Sequence, residues 1–122
     1  MYYINVQSHF SAAHFLKDYQ GQCQNMHGHN WRIRVQVSQE TIDDLGMSID
    51  FKLLKQILNE ILDQLDHHLL NEIPVFQDCN PTAENIGRFI YHEVAKRLPE
   101  PAKMHEVEVW ESDQYSLIYR ES

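Results

Sequence analysis

Cysteine, positive charge and long apolar runs are all scarce in this sequence, and each shortage excludes a class of protein. Two cysteines, Cys23 and Cys79, are too few for a disulfide-stapled scaffold, so we expect free thiols or metal ligands. No apolar run is long enough to cross a bilayer, and the N-terminal segment lacks the basic flank and apolar centre of a signal peptide. We therefore expect a cytoplasmic protein that does not act on a membrane.

Lysine and arginine together number 10 against 18 acidic residues, which gives a net charge of −8 with histidine neutral. Nucleic-acid binding needs lysine and arginine clustered against phosphates, so this balance argues against a nucleic-acid partner. A small anionic substrate remains compatible, because a few local cations can hold one. At 122 residues and 43% hydrophobic content, the chain can bury a core, and we expect a single domain over residues 1–122.

Alternation of apolar and polar residues predicts four strands, because successive side chains of a strand point to opposite faces. The alternation runs from Tyr2 to Phe10, with an extension towards His14, and again from His27 to Ser38. Two further strands are predicted in the segments HEVEVWES and QYSLIYRES near the C-terminal end.

Two helices are predicted between these strand pairs. Apolar residues recur at helical spacing over Phe51–Leu65, with Ser48 or Asp50 as the N-cap, and a second helix starts at Pro81 with Thr82 as its cap. The order strand, strand, helix, helix, strand, strand favours an α+β fold: a four-stranded antiparallel sheet with both helices on one face. So small an open sheet has exposed edges, and pairing them with neighbouring subunits predicts a symmetric oligomer.

Eight histidines are many for this length, and two of them stand two residues apart on the second predicted strand. His27 and His29 point to the same side, roughly 6–7 Å apart along a strand, so both imidazoles can reach one ion. Two surface histidines are the plain alternative. This alternative is weakened because both histidines lie on the same face of the strand as Trp31, and histidines that face a core need a partner. His14 is the best third ligand, because the first strand should pair with the second.

Cys23 lies four residues before His27 and has two interpretations. As a fourth ligand it would close the coordination shell and make the metal site structural. Outside the shell, it would leave one coordination position to a substrate and place a thiolate beside a cation. The spacing alone does not choose between these interpretations.

A second polar group follows the first helix. Asp66 and His67 are an adjacent carboxylate and imidazole, and an aspartate can orient a histidine and stabilise its protonated form. Taken alone, the pair favours a plainer interpretation, a polar helix end where histidine suits the helix dipole. His68 is as eligible a base as His67 by composition.

Glu111 is an acidic residue in an apolar pattern. It shares parity with Val107 and Val109 and should face inward, where an unpaired carboxylate is costly. An internal salt bridge or a solvated edge position would explain it. A functional explanation is a ligand with two adjacent N–H donors, such as an aminopyrimidinone ring, which a carboxylate accepts in bidentate fashion.

Six short motifs, in order along nearly the whole chain, resemble one family of enzymes. The sequence is similar to the 6-pyruvoyltetrahydropterin synthase family, and most of all to its bacterial 6-carboxy-5,6,7,8-tetrahydropterin synthase branch in queuosine biosynthesis. The close CxxxHGH spacing favours that branch, and a folate-linked branch carries glutamate at the cysteine position. The motifs are FSAAH at 10–14, CxxxHGH at 23–29, GMSIDF at 46–51, LDHHLLN at 65–71, NPTAEN at 80–85 and VWES at 109–112.

The resemblance implies the tunnelling fold, in which subunits join their sheets into a barrel and two trimers stack into a homohexamer. It implies Zn²⁺ bound by His14, His27 and His29, with Cys23 as general base and not as ligand. The implied substrate is 7,8-dihydroneopterin triphosphate, from which the carboxy branch releases acetaldehyde and triphosphate. Relatives with a pyruvoyl product only eliminate triphosphate and rearrange the side chain.

The resemblance also assigns the remaining site residues. Asp66 and His67 would complete the proton-transfer group, and Glu111 would anchor the pterin. Thr82 would help to bind substrate or serve only as a helix cap, and Ser112 stands where threonine is more usual.

The alternative from another functional class is a non-catalytic, zinc-stabilised oligomerisation domain, in which Cys23 would be the fourth zinc ligand. Candidate cations for the triphosphate are Lys17, Arg32, Arg34 and Lys52.

Overall fold

The structure is a computed structural model that describes residues 1–17 and 26–121. It confirms the predicted order of elements and the antiparallel sheet with both helices on one face. Short 3₁₀ turns at Leu70–Glu72 and Pro74–Phe76 lie between the helices. Within the described ranges, neither helix has the length and apolarity that a membrane span needs. The elements are β1 (Tyr2–His14), β2 (His27–Gln39), α1 (Phe51–Leu62), α2 (Ala83–Arg97), β3 (Lys103–Ser112) and β4 (Tyr115–Arg120).

The sheet is antiparallel and has the order β1-β2-β3-β4. β1 and β2 pair along all 13 residues of each strand, so His14 lies opposite His27. On the other side of β2, Ile33 lies opposite Val109 of β3. β1 and β4 are therefore the edge strands, and the predicted metal ligands of β1 and β2 meet at one end of the sheet.

One face of the sheet and one face of each helix form the core. Trp31, Ile33 and Val35 of β2 are 0% exposed, in keeping with the alternation in the sequence. Removing one such side chain from water contributes roughly 1.5–3 kcal/mol, so this packing holds the helices firmly on the sheet. The fully buried helix residues of this core are Leu54, Leu58, Ile61, Ile86, Ile90 and Val94.

α1 begins at one of its two predicted caps but ends earlier than predicted. The Asp50 side chain accepts the backbone N–H of Lys52, so Asp50 and not Ser48 is the N-cap. The helix ends at Leu62 because the next turn is tighter: the N–H of Leu65 donates to the carbonyl of Leu62, three residues back. Leu65 is nevertheless fully buried, so the apolar spacing identified a core residue beyond the end of the helix.

The segment after α1 runs along the free edge of β1. The N–H of His67 donates to the carbonyl of Ser11 at 2.6 Å, and the N–H of Ala13 donates to the carbonyl of His68 at 3.3 Å. An isolated parallel bridge between Ala13 and Leu69 continues the contact. The end of β1 is thereby paired on both sides, which fixes this segment close to the metal-binding end of the sheet.

The sheet face opposite the helices carries a network of charges. The Arg34 guanidinium contacts both Glu106 and Glu108, and Arg120 contacts Glu106 at 2.7 Å. Burial alone would raise the pKa of Glu106, but hydrogen bonds from Arg34 and Arg120 outweigh it and hold that pKa below its usual value. Glu106 therefore stays ionised at neutral pH, and its charge is balanced within the sheet.

The role of Leu65 as an anchor beyond the helix can be measured by substitution. We expect Leu65→Ala to lower the free energy of unfolding by about 2–5 kcal/mol, because the truncation leaves a cavity in the core. Leu45 is 84% exposed, and Leu45→Ala is the matched control, with an expected change within about 0.5 kcal/mol. Denaturant unfolding of both variants provides the comparison, and equal losses would contradict the anchoring role.

Candidate metal and active site

The three histidines predicted to bind a metal come together at one end of the sheet. His14 ends β1, His27 begins β2 opposite it, and His29 follows two residues later. The imidazole centroid of His14 lies 4.8 Å from that of His27 and 5.2 Å from that of His29. One ligand atom from each histidine and one from Glu111 all lie within 4.8 Å of one another. A single ion is therefore within reach of all four side chains.

A hydrogen bond to the backbone sets the tautomer of His14. The Nδ1 atom lies 2.8 Å from the carbonyl oxygen of Pro81. A carbonyl oxygen only accepts, so Nδ1 carries the proton and donates it. In the neutral imidazole, Nε2 then presents a lone pair to its surroundings, which is how histidine ligates a metal.

Two of the ring nitrogens at this site are buried and unsatisfied. Among the described residues, Nε2 of His14 and Nε2 of His29 lie out of contact with water and have no hydrogen-bond partner. Burial lowers the pKa of His29; Glu111 opposes this shift, and His14 and His27 add to it. Neutral imidazole is the form that binds a metal, and zinc accepts both histidine nitrogen and carboxylate oxygen. The side chains present therefore fit an ion such as zinc.

Glu111 lies closer to the histidines than the sequence indicated. One of its carboxylate oxygens is 3.1 Å from Nε2 of His29 and 3.9 Å from Nε2 of His14. Its side chain is 37% exposed, so it is neither fully inward, as parity predicted, nor simply solvated. Its place beside the histidines depends on the register that sets Ile33 opposite Val109, which the alternation within each strand does not by itself fix.

Asp66 and His67 form an ion pair at the edge of β1. Nδ1 of His67 lies 2.9 Å from the Asp66 carboxylate, whereas Nδ1 of His68 lies 2.7 Å from the backbone carbonyl of Asp66. The backbone N–H of Ser11 donates to the same carboxylate at 2.8 Å. This hydrogen bond is the main reason that the pKa of Asp66 lies below its usual value, and His67 lowers it further. The geometry therefore pairs the carboxylate with His67 and not with His68.

A cleft of about 510 Å³ joins the two groups of residues. His29 lines it from β2, and His67 and Ser11 line it from the loop and the end of β1. His67 is 82% exposed at its side chain and has a φ of 58°, an uncommon value for a residue other than glycine. Such backbone positions are enriched at functional sites. A larger groove, of about 890 Å³, lies between β1 and α1, and among the described residues that line it Lys52, a candidate cation, is the one predicted site residue.

Two other predicted site residues stand apart from this cluster. The Thr82 side chain accepts the backbone N–H of Asn85 at 3.1 Å, which confirms its role as the cap of α2; a contact with substrate stays a prediction. Cys23 lies outside the described residues, so its assignment as base or ligand is carried by the sequence alone. Cys79 is a partly buried free thiol whose Sγ contacts the carbonyl of Val75.

The histidine cluster makes a direct prediction about metal affinity. Removing a residue that hydrogen-bonds to a metal ligand typically weakens metal binding by ~10–100-fold. We expect His29→Ala to weaken Zn²⁺ binding by more than this, because the substitution removes a ligand itself. His92→Ala is the control, since His92 is exposed on α2 and pairs with Glu121. Competition with a chelating zinc indicator measures both affinities, and unchanged binding in His29→Ala would contradict the site.

Comparison with known proteins adds independent information. The family described as 6-pyruvoyl tetrahydropterin synthase matches residues 3–122 of this chain. A 6-carboxy-5,6,7,8-tetrahydropterin synthase from Synechocystis is 33% identical over 92% of this chain and 88% of that protein. A dihydroneopterin monophosphate aldolase from Pyrococcus furiosus is 32% identical over 93% of each chain. The two names denote different reactions, so this level of identity does not select one of them.

The fold of the chain is also found among solved structures. The 6-pyruvoyl tetrahydropterin synthase of Caenorhabditis elegans superposes with a TM-score of 0.88 and covers 99% of this chain and 96% of its own. The sequences are 24% identical, so this likeness establishes the tunnelling fold of the subunit and leaves the reaction open. Because the family match and relatives above 30% identity span nearly the whole sequence, the chain belongs to the 6-pyruvoyl tetrahydropterin synthase family.

Proposed function

We propose that the chain is a zinc-dependent lyase that converts 7,8-dihydroneopterin triphosphate to 6-carboxy-5,6,7,8-tetrahydropterin, with release of acetaldehyde and triphosphate, in queuosine biosynthesis. The observation that carries the proposal is the three-histidine cluster sharing one cleft with the Asp66–His67 pair. A relative of 33% identity bears the name of this activity. The family match supports a pterin substrate.

The metal would be held by His14, His27 and His29. The Nε2 atoms of His14 and His29 are buried without a hydrogen-bond partner among the described residues, and a cation would satisfy them. When bound, zinc supplies Lewis acidity that polarises the side-chain hydroxyls of the substrate and makes their neighbouring protons easier to remove. The chain's own contribution is to orient these imidazoles. The Pro81 carbonyl does this for His14 through Nδ1.

Proton transfer is assigned to Cys23, Asp66 and His67. Cys23 lies four residues before His27 in the sequence, and a thiolate near a cationic centre is a competent base. Asp66 is ionised at neutral pH because the hydrogen bond from Ser11 lowers its pKa, and its carboxylate lies 2.9 Å from Nδ1 of His67 and orients that ring. His67 can then return a proton to the substrate, and its exposure within the cleft lets it reach a bound molecule.

The pterin ring and the triphosphate need separate contacts. Glu111 is proposed to accept two N–H donors of the aminopyrimidinone edge, with Thr82 as a further contact. Among the candidate cations, Arg34 is engaged by Glu106 and Glu108 on the opposite face of the sheet. Lys17 follows His14 by three residues and its backbone bonds the Asn80 side chain, so it is the cation best placed for the triphosphate.

Assembly into a homohexamer of two stacked trimers is part of the proposal. Support comes from the sheet itself, because β1 and β4 are edge strands within one chain and exposed edges are normally covered. The groove between β1 and α1 runs along one of these edges, with Val6 and Phe51 in its lining. A neighbouring subunit's strand is the occupant that such an edge requires.

Product analysis tests the reaction. We expect purified, zinc-loaded protein to convert 7,8-dihydroneopterin triphosphate into acetaldehyde and the carboxypterin, detected by chromatography and mass spectrometry. His29→Ala serves as the negative control, because its metal site is incomplete. A pyruvoyl pterin as product would assign the chain to 6-pyruvoyltetrahydropterin synthase activity, and the absence of any pterin product would contradict a catalytic role.

Substitution of the two cysteines tests the assignment of the base. We expect Cys23→Ala to lower the rate of product formation by about 10²–10⁴-fold, the usual contribution of a general base, without changing the zinc content. Cys79→Ala is the matched control and should retain both. Loss of zinc from Cys23→Ala would instead identify a fourth ligand, as in a non-catalytic, zinc-stabilised oligomerisation domain.

A further inference from the structure

Glu111 is positioned by an irregularity in the sheet. The β3–β4 register shifts between Trp110 and Ser112, and Glu111 lies at this shift. Shifts of this kind re-aim side chains and are enriched beside active sites. On the other side of β3, Arg32 of β2 lies opposite Trp110 and stacks its guanidinium 4.2 Å from the Trp110 ring centroid, which fixes the strand just before the shift.

The distances from Glu111 to the histidines are those of ligands around one ion. In a tetrahedral zinc site with bonds of about 2.0–2.1 Å, neighbouring ligand atoms lie roughly 3.3–3.4 Å apart. The Glu111 oxygen lies 3.1 Å from Nε2 of His29 and 3.9 Å from Nε2 of His14. These two values bracket the tetrahedral separation.

The contact between Glu111 and His29 lacks the geometry of a hydrogen bond. Among the described residues, Nε2 of His29 has no hydrogen-bond partner although the carboxylate oxygen is 3.1 Å away. Nε2 of His14, whose proton is on Nδ1, faces the same oxygen as an acceptor. Nε2 of His14 and the Glu111 oxygen are thus two acceptors, and acceptor atoms directed at one another repel unless a cation lies between them. The carboxylate therefore belongs to the same ligand set as the imidazoles.

We propose that Glu111 is the fourth ligand of the metal in the substrate-free protein, and that a pterin ring withdraws it from the metal on binding. The second step rests on the proposed function, in which the same carboxylate accepts the N–H donors of the pterin edge. A carboxylate that accepts two adjacent N–H donors turns both of its oxygens towards the ring, so pterin binding opens the coordination position that the substrate's hydroxyls require. The exposed third of the Glu111 side chain is the part that an incoming ring can reach.

The visible spectrum of the Co²⁺-loaded protein tests the ligand directly, since its bands report the number and type of ligands. We expect Glu111→Gln to shift these bands and to weaken Co²⁺ binding at least about tenfold. Asp113→Asn is the matched control: it removes the same charge from an exposed position two residues along the chain, and its spectrum should equal that of the unchanged protein. Circular dichroism verifies that each variant is folded.

Identical spectra for Glu111→Gln and the unchanged protein would overturn the proposal, as would equal shifts in Glu111→Gln and Asp113→Asn. Unsubstituted pterin, which has no side-chain hydroxyls to bind the metal, tests the exchange. Added to the Co²⁺-loaded unchanged protein, it should move the spectrum towards that of Glu111→Gln, and no movement would refute the exchange. These readouts do not use turnover, so failure of the product assay and failure of this proposal are distinguishable.

Discussion

The pairing of β1 with β2 is the constraint on which the rest of the structure depends. Side chains of a strand alternate between its faces, so a slip of one residue would turn every buried side chain of a strand towards solvent. The buried residues of β2, among them Trp31 and Ile33, make such a slip very costly. The same register sets His14 opposite His27. The core thus specifies the position of the ligands, although the ligands themselves contribute little to the core.

The second group of site residues is placed by different means. Asp66 and His67 belong to neither helix nor strand, and the buried Leu65 holds the chain immediately before them. Backbone hydrogen bonds with Ser11 and Ala13 then align the segment with the edge of β1. A buried leucine and a few hydrogen bonds to the edge of β1 therefore hold this segment in place, although it forms neither a helix nor a strand. This arrangement fixes the backbone of His67 and leaves its side chain, paired with Asp66, exposed to the cleft.

Periodic patterns in the sequence predicted the strands and helices, but features that depend on how the strands pair were not predicted. Periodicity located all four strands and both helices, and two histidines with one parity indicated the metal site, because alternation is a local property of the backbone. The early end of α1 at Leu62 was missed, since helical spacing continues to a residue buried for another reason. The proximity of Glu111 to His29 was also missed, because it requires the register between β2 and β3 and a shift at the end of β3. His67 and His68 were equivalent by composition and differ only in geometry.

The hydrogen bond from His14 to the Pro81 carbonyl joins the ligand cluster to the residue just before the cap of α2. An ion bound at His14 therefore braces the turn from which α2 starts, as well as the end of β1. A ligand that binds only the folded state stabilises it by mass action, by about 2.7 kcal/mol when its free concentration is a hundred times its dissociation constant. With an ion bound as proposed, the resistance of this protein to heat and proteolysis would depend on the metal supply of its surroundings.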